Sequence, residues 1–150
     1  MARWQNGSGT LRFVQGAAGE PTVAEALGPD GAADSASGAP GGPAAPTGRA
    51  AIPLEIAASY RARTRGLLGR DGIDGALLLT PASAVHTFRM RFTVDVAYLT
   101  RDLTVLAVRT MRPGRLGRPR LRARHVLEAE AGAMARWDLR PGVRVTIATP

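Results

Sequence analysis

Apolar and polar positions alternate with a period of two over several short stretches of the chain, and that period predicts β-strands. Thr10 to Val14 (TLRFV) is a short strand of this kind, expected at an edge. Ile52 to Ala57 (IPLEIA) alternates as well, and Pro53 restricts it to an edge or to a strand start. Ala76 to Thr80 (ALLLT) is a continuous apolar run, the pattern of a strand covered on both faces, and Pro81 ends it. The long stretch from Ala84 to Arg101 (AVHTFRMRFTVDVAYLTR) reads at strand period, with Thr93, Asp95, Ala97 and Leu99 on one face and Val94, Val96 and Tyr98 on the other. Leu103 to Met111 follows across a polar turn, which predicts a hairpin. His125 to Ala131 and Val143 to Ile147 are the remaining strands.

Only two stretches fit a helix. Ser59 is suited to N-cap a helix running to about Leu68, with Gly69 supplying the positive φ that ends it. Gly132 to Trp137 has room for one or two helical turns. These elements predict an α+β fold, a compact and mostly antiparallel sheet curling toward a barrel, with two short helices.

Residues 16–50 break the pattern. They are rich in Gly, Ala and Pro and contain only two large apolar residues, Val23 and Leu27. Such a segment buries too little surface to offset its ordering entropy and is expected to be disordered. The chain therefore divides into an N-terminal segment with an edge strand (1–15), a disordered insert (16–50) and a folded domain (51–150).

The net charge of +8 falls unevenly on these parts. Residues 1–50 hold three Arg against four acids, and residues 51–150 hold seventeen Arg against eight. Every basic residue is Arg, which fits a coding bias as well as a selected preference for phosphate. Seven arginines and no acid lie between Arg109 and Arg124, and Arg112, Arg115, Arg118, Arg120 and Arg122 are candidate anion ligands there. The absence of cysteine excludes disulfides, thiolate metal sites and cysteine nucleophiles. No apolar run reaches membrane-spanning length and no signal-peptide core is present, so a soluble cytoplasmic protein is expected.

Catalytic motifs are missing. There is no phosphate-binding glycine loop, no dinucleotide fingerprint and no serine in a nucleophile elbow. The two histidines, His86 and His125, form no metal-ligand spacing, and neither a metal nor a cofactor is expected. What stands out is Asp95, an acid inside an apolar run, because an unpaired buried carboxylate costs several kcal/mol or shifts its pKa upward. Arg63, His86 and Glu128 are its candidate partners in a polar pocket.

Four blocks occur in order: Arg-x-x-Gly-Leu-Leu (Arg63 to Leu68), His-Thr-Phe-x-Met-Arg-Phe-x-x-Asp (His86 to Asp95), Val-Leu-Glu-x-x-x-Gly (Val126 to Gly132) and Pro-Gly-x-x-Val (Pro141 to Val145). This set resembles the bacterial and archaeal domain-of-unknown-function family 192. The resemblance implies a compact β-rich domain over about residues 52–147 and implies no established activity. This chain departs from it at His86 to Met90, where many members carry an aromatic-Met-Lys-Asn-Thr run.

Three functions fit these observations. The first is a small binding module with a polar pocket of Arg63, His86, Asp95 and Glu128, holding an unknown small molecule or acidic protein partner. The second is a hydrolase or lyase using Asp95 or Glu128 as base and Arg63 as anion clamp. The third is nucleic-acid or acidic-partner binding through the Arg109–Arg124 stretch, although that stretch contains no interleaved aromatic residue.

Overall fold

A computed structural model describes residues 4–14 and 51–150. The expected disordered insert, 16–50, lies outside the described residues. Among the described residues there are seven strands and two short helices, in the order β1 (Gly7–Val14), β2 (Ile52–Ala57), α1 (Tyr60–Arg65), β3 (Ala76–Leu79), β4 (Val94–Leu99), β5 (Val105–Met111), β6 (His125–Glu130), α2 (Ala133–Arg136) and β7 (Arg144–Ala148).

The strands form one sheet in the order β5-β4-β6-β3-β2-β1-β7. Only β2 and β3 run parallel; every other neighbouring pair is antiparallel. The two ends of the sheet meet. Val105 N–H donates to the Val143 carbonyl (2.8 Å), Val145 N–H donates to the Leu103 carbonyl (3.0 Å), and Thr104 bridges Arg144. The sheet thus curls until the start of β5 pairs with the start of β7, and the expected barrel-like α+β domain is the observed one. β1 differs from expectation. It is no edge strand but sits between β2 and β7, paired on both sides.

Side-chain alternation divides the buried residues into two clusters. Leu11, Ile52, Leu54, Ile56, Leu78, Leu99, Leu127, Val143 and Val145 fill the concave side, which α2 closes with Met134. Leu77, Leu79, Val94, Val96, Tyr98, Ala107 and Val126 form the convex side, covered by Leu67 after α1 and by Val85, Met90 and Ala123 from two long loops. Because β3 and β4 lie under both layers, every residue of each is buried. Burying a large aliphatic side chain fully contributes roughly 1.5–3 kcal/mol, so the two layers together are the main source of stability.

α1 begins as its sequence requires, with the Ser59 hydroxyl accepting from Ala62 N–H at 3.2 Å. Asn6 fastens the N-terminal segment to this junction by accepting from the Ala58 and Ser59 amides. The helix is shorter than expected and ends at Gly66, whose φ of 45° breaks the helical path. Gly75 allows the closest backbone approach, since a Cβ there would lie 2.1 Å from the Pro53 carbonyl oxygen.

The segment before β4 departs most from expectation. Only Val94–Leu99 is strand; residues 84–93 form a loop that contains one bridge pair, His86 to Leu116. Its anchor is Thr87, fully buried, whose hydroxyl donates to the Arg112 carbonyl (2.6 Å) and accepts from Arg115 N–H (2.8 Å). No described helix is long and apolar enough to cross a membrane.

Candidate functional site

The four residues expected to share a pocket are dispersed. Asp95 faces the concave side near α2 and is 3% exposed. Its Oδ2 accepts from the amides of Gly132 (2.8 Å) and Met134 (3.2 Å), and its Oδ1 accepts from the Thr110 hydroxyl (2.7 Å). The carboxylate is therefore occupied in fixing α2 to β4 and β5, and the polar pocket expected around it is not found among the described residues.

Glu128 points the other way. It pairs with Val96, one residue out of phase with the Asp95–Ala129 pair, so adjacent register places the two carboxyls on opposite faces of the sheet. No substrate placed on one face reaches both, which removes the geometry for a two-carboxylate hydrolase. Arg63 is engaged with neither acid. Its Nη1 donates to the carbonyl oxygens of Ala58 (2.8 Å) and Thr80 (3.5 Å), tying α1 to the ends of β2 and β3. His86 is exposed and stacks on Phe88, with centroids 5.2 Å apart.

Glu128 itself is unusual. It is 3% exposed, and among the described residues no hydrogen bond or ion pair reaches its carboxyl. Burial pushes its pKa up to about 7. An added Cβ at Gly66 would lie 3.9 Å from its Oε2, which locates the carboxyl under the end of α1. Glu130, two residues further along β6 and in phase with Glu128, is exposed.

A cavity of different make-up lies elsewhere. A cleft of about 590 Å³ opens where β2, β3 and β4 end and β6 begins, lined by Trp4, Thr80, Leu103, His125 and the arginines 101, 124 and 144. His125 is buried at its back, with Nδ1 2.7 Å from the Thr80 hydroxyl and the Trp4 ring edge-on at 5.8 Å. Burial lowers the imidazole's pKa below its ordinary value, so it is neutral at pH 7. Arg144 Nε donates to the Asp102 carbonyl (3.1 Å), and Arg124 Nη1 donates to the carbonyls of Leu121 and Ala123. These bonds hold two guanidinium groups beside the opening. Asp102 is the one acid lining the cleft, and the hydroxyls of Thr100 and Thr104 donate to it and hold its pKa low.

The cleft thus combines an aromatic wall, a neutral imidazole with a hydroxyl partner and a surplus of guanidinium charge. Its volume suits a small organic ligand. Sequence reading did not find it. The site is built from six separate segments, and its only chemical signal was a histidine at a strand start.

The arginines of the 109–124 stretch separate by role. Arg112, Arg115, Arg118 and Arg122 are exposed, whereas Arg120 lies partly buried with its guanidinium 5.1 Å from the centre of the Tyr98 ring. Among the described residues, none of them forms an ion pair. No cluster of described His, Asp or Glu side chains has the arrangement of a metal site.

Comparison with known proteins agrees with the motif blocks. The family model DUF192, described as uncharacterized ACR, matches residues 44–147. A UPF0127 protein of Pyrococcus abyssi is 30% identical over 84 residues, 53% of this chain and 72% of that protein. A UPF0127 protein of Pyrococcus horikoshii is 29% identical over 84 residues, 53% of this chain and 73% of that protein. Two crystal structures share the fold. A Sinorhizobium meliloti protein, described as a proposed transcription regulator, aligns with a TM-score of 0.64 at 16% identity over 97% of this chain and 98% of its own. A protein of unknown function from Novosphingobium aromaticivorans aligns with a TM-score of 0.60 at 20% identity, over 67% of this chain and 79% of its own.

Proposed function

The chain belongs to the uncharacterised DUF192 family, and from that premise we propose that it is a binding domain whose ligand enters the cleft at His125. The observation that carries this reading is the cleft itself, about 590 Å³ with a buried, neutral His125 at its back and three arginines around it. The ligand is a small anion with a flat or apolar body. Its charged end is matched by Arg101, Arg124 and Arg144, its body by Trp4 and Leu103, and a polar atom near its centre by the His125–Thr80 pair.

Tryptophan fluorescence tests the proposal, because Trp4 lines the cleft and the second tryptophan, Trp137, lies at the end of α2. In a Trp137→Phe background, titration with nucleoside monophosphates, aromatic carboxylates and inorganic phosphate should find a binder that changes Trp4 emission. The same compound should raise the thermal midpoint, since a ligand at 100 times its Kd adds about 2.7 kcal/mol to stability. Arg124→Ala should weaken that compound about tenfold or more through loss of a charge-assisted bond. A binder whose affinity is untouched by both Arg124→Ala and His125→Ala would place the site elsewhere.

A further inference from the structure

We propose a second site on this molecule, a single-stranded nucleic-acid surface built by the paired loops 81–93 and 112–123 on the convex side. The two loops together hold seven arginines and no acid. Among the described residues only Arg91 of the seven is in an ion pair, with Asp71. A polyanion is the partner that this imbalance favours, since each phosphate contact releases counterions and gains free energy from their dilution.

The arginine stretch has no aromatic residue of its own, which argued against nucleic acid. The fold supplies two from the neighbouring loop. His86 bridges Leu116, and the stacked His86–Phe88 pair thereby lies against the middle of the arginine loop. Phe88 is 46% exposed and Leu116 is 72% exposed, large apolar groups set among cations. Aromatic faces beside guanidinium groups are what an unstacked base and its phosphates require.

The surface is also preformed. Thr87 binds Arg112 and Arg115 main-chain groups, Gly114 N–H donates to the Thr87 carbonyl, Gly117 N–H to that of Val85 and Arg120 N–H to that of Ser83. Gly117 permits this approach, because a Cβ there would lie 2.6 Å from the Tyr98 hydroxyl. The loops are thus stitched together along their length, so little ordering entropy is lost when a strand binds. A duplex would not offer its base faces to Phe88, and an acidic peptide would use the charges but leave the stacked pair idle.

The test is fluorescence anisotropy of a labelled oligothymidine strand with the full-length protein between 50 and 200 mM NaCl. Affinity should fall with salt, with a log–log slope near −0.7 for each phosphate engaged, and exceed that for a duplex of equal length. Phe88→Ala should weaken single-strand binding roughly tenfold and leave the salt slope unchanged. The double substitution Arg115→Ala, Arg118→Ala should make the slope shallower by about 1.4. All three side chains are exposed, and circular dichroism checks that each variant keeps its fold. No binding at 50 mM, binding that ignores salt, or equal affinity for strand and duplex with no effect of Phe88→Ala would each overturn the proposal. So would polyglutamate displacing the oligonucleotide at equal charge concentration, which would point to an acidic protein instead.

Discussion

Replacing Glu128 by Gln should stabilise the protein by about 2–3 kcal/mol at pH 8 and remove the fall in stability that Glu128 causes as pH rises from about 4.5 to 7. The folded state holds the Glu128 proton until about pH 7, whereas an unfolded chain releases it near its ordinary value of 4.5. Below pH 4.5 both states are protonated and the group costs nothing. Between the two values only the unfolded state ionises, so stability falls as pH rises. Above pH 7 both are ionised and the whole cost is present, because the folded state then buries a charge with no partner among the described residues. Glutamine keeps the shape and removes the ionisation. His125 acts in the opposite sense, since burial disfavours its charged form and stability is lost as pH falls below its ordinary value. The difference between parent and E128Q in urea melts across pH isolates the carboxyl. A constant difference, or a variant less stable at every pH, would show that Glu128 is paired in the folded protein.

Asp95→Ala should have the opposite effect, a loss of about 3 kcal/mol or more at pH 7. The substitution leaves the amides of Gly132 and Met134 and the hydroxyl of Thr110 without their acceptor, and Met134 has no exposed surface to recruit water. α2 has only four residues and no side-chain cap of its own, so it depends on this contact for its position. Asp95→Asn retains one oxygen acceptor and should lose less. Equilibrium urea denaturation with a fixed m-value measures both. An Asp95→Ala protein within 0.5 kcal/mol of the parent would show that α2 does not depend on the carboxylate.

The two acids show how much of the molecule was legible in the sequence. The period-two pattern placed Asp95 on the face of Ala97 and Leu99 and gave most strands within a few residues, because alternation is a local property. Alternation puts Glu128 in phase with Val126, yet it could not say that α1 and two loops would cover that face. Nor could it show that β4 and β6 pair with Asp95 and Glu128 out of phase, since register depends on which residues meet across strands. Residues 84–93 looked like strand by composition, but the chain there turns back at Arg89, whose φ of 59° no strand accommodates. The His125 cleft was the least legible feature. Trp4, Thr80 and Arg101 are brought to it by three different connections, and no local pattern encodes their meeting.

The position of β1 has a consequence for how the protein is made. Arg12 and Thr146 touch across 134 positions of chain, and β1 also pairs with β2 from Ile52 to Ile56. Of the described strands β1 leaves the ribosome before the others, yet one of its two neighbours, β7, is the last of them to follow. Until β7 arrives, β1 presents an unpaired edge of the kind that recruits foreign strands. Closure of the barrel is thus a late, long-range event. A high mean separation of contacting residues slows folding, so the interval before closure is when nascent chains are most prone to aggregate or to engage a chaperone.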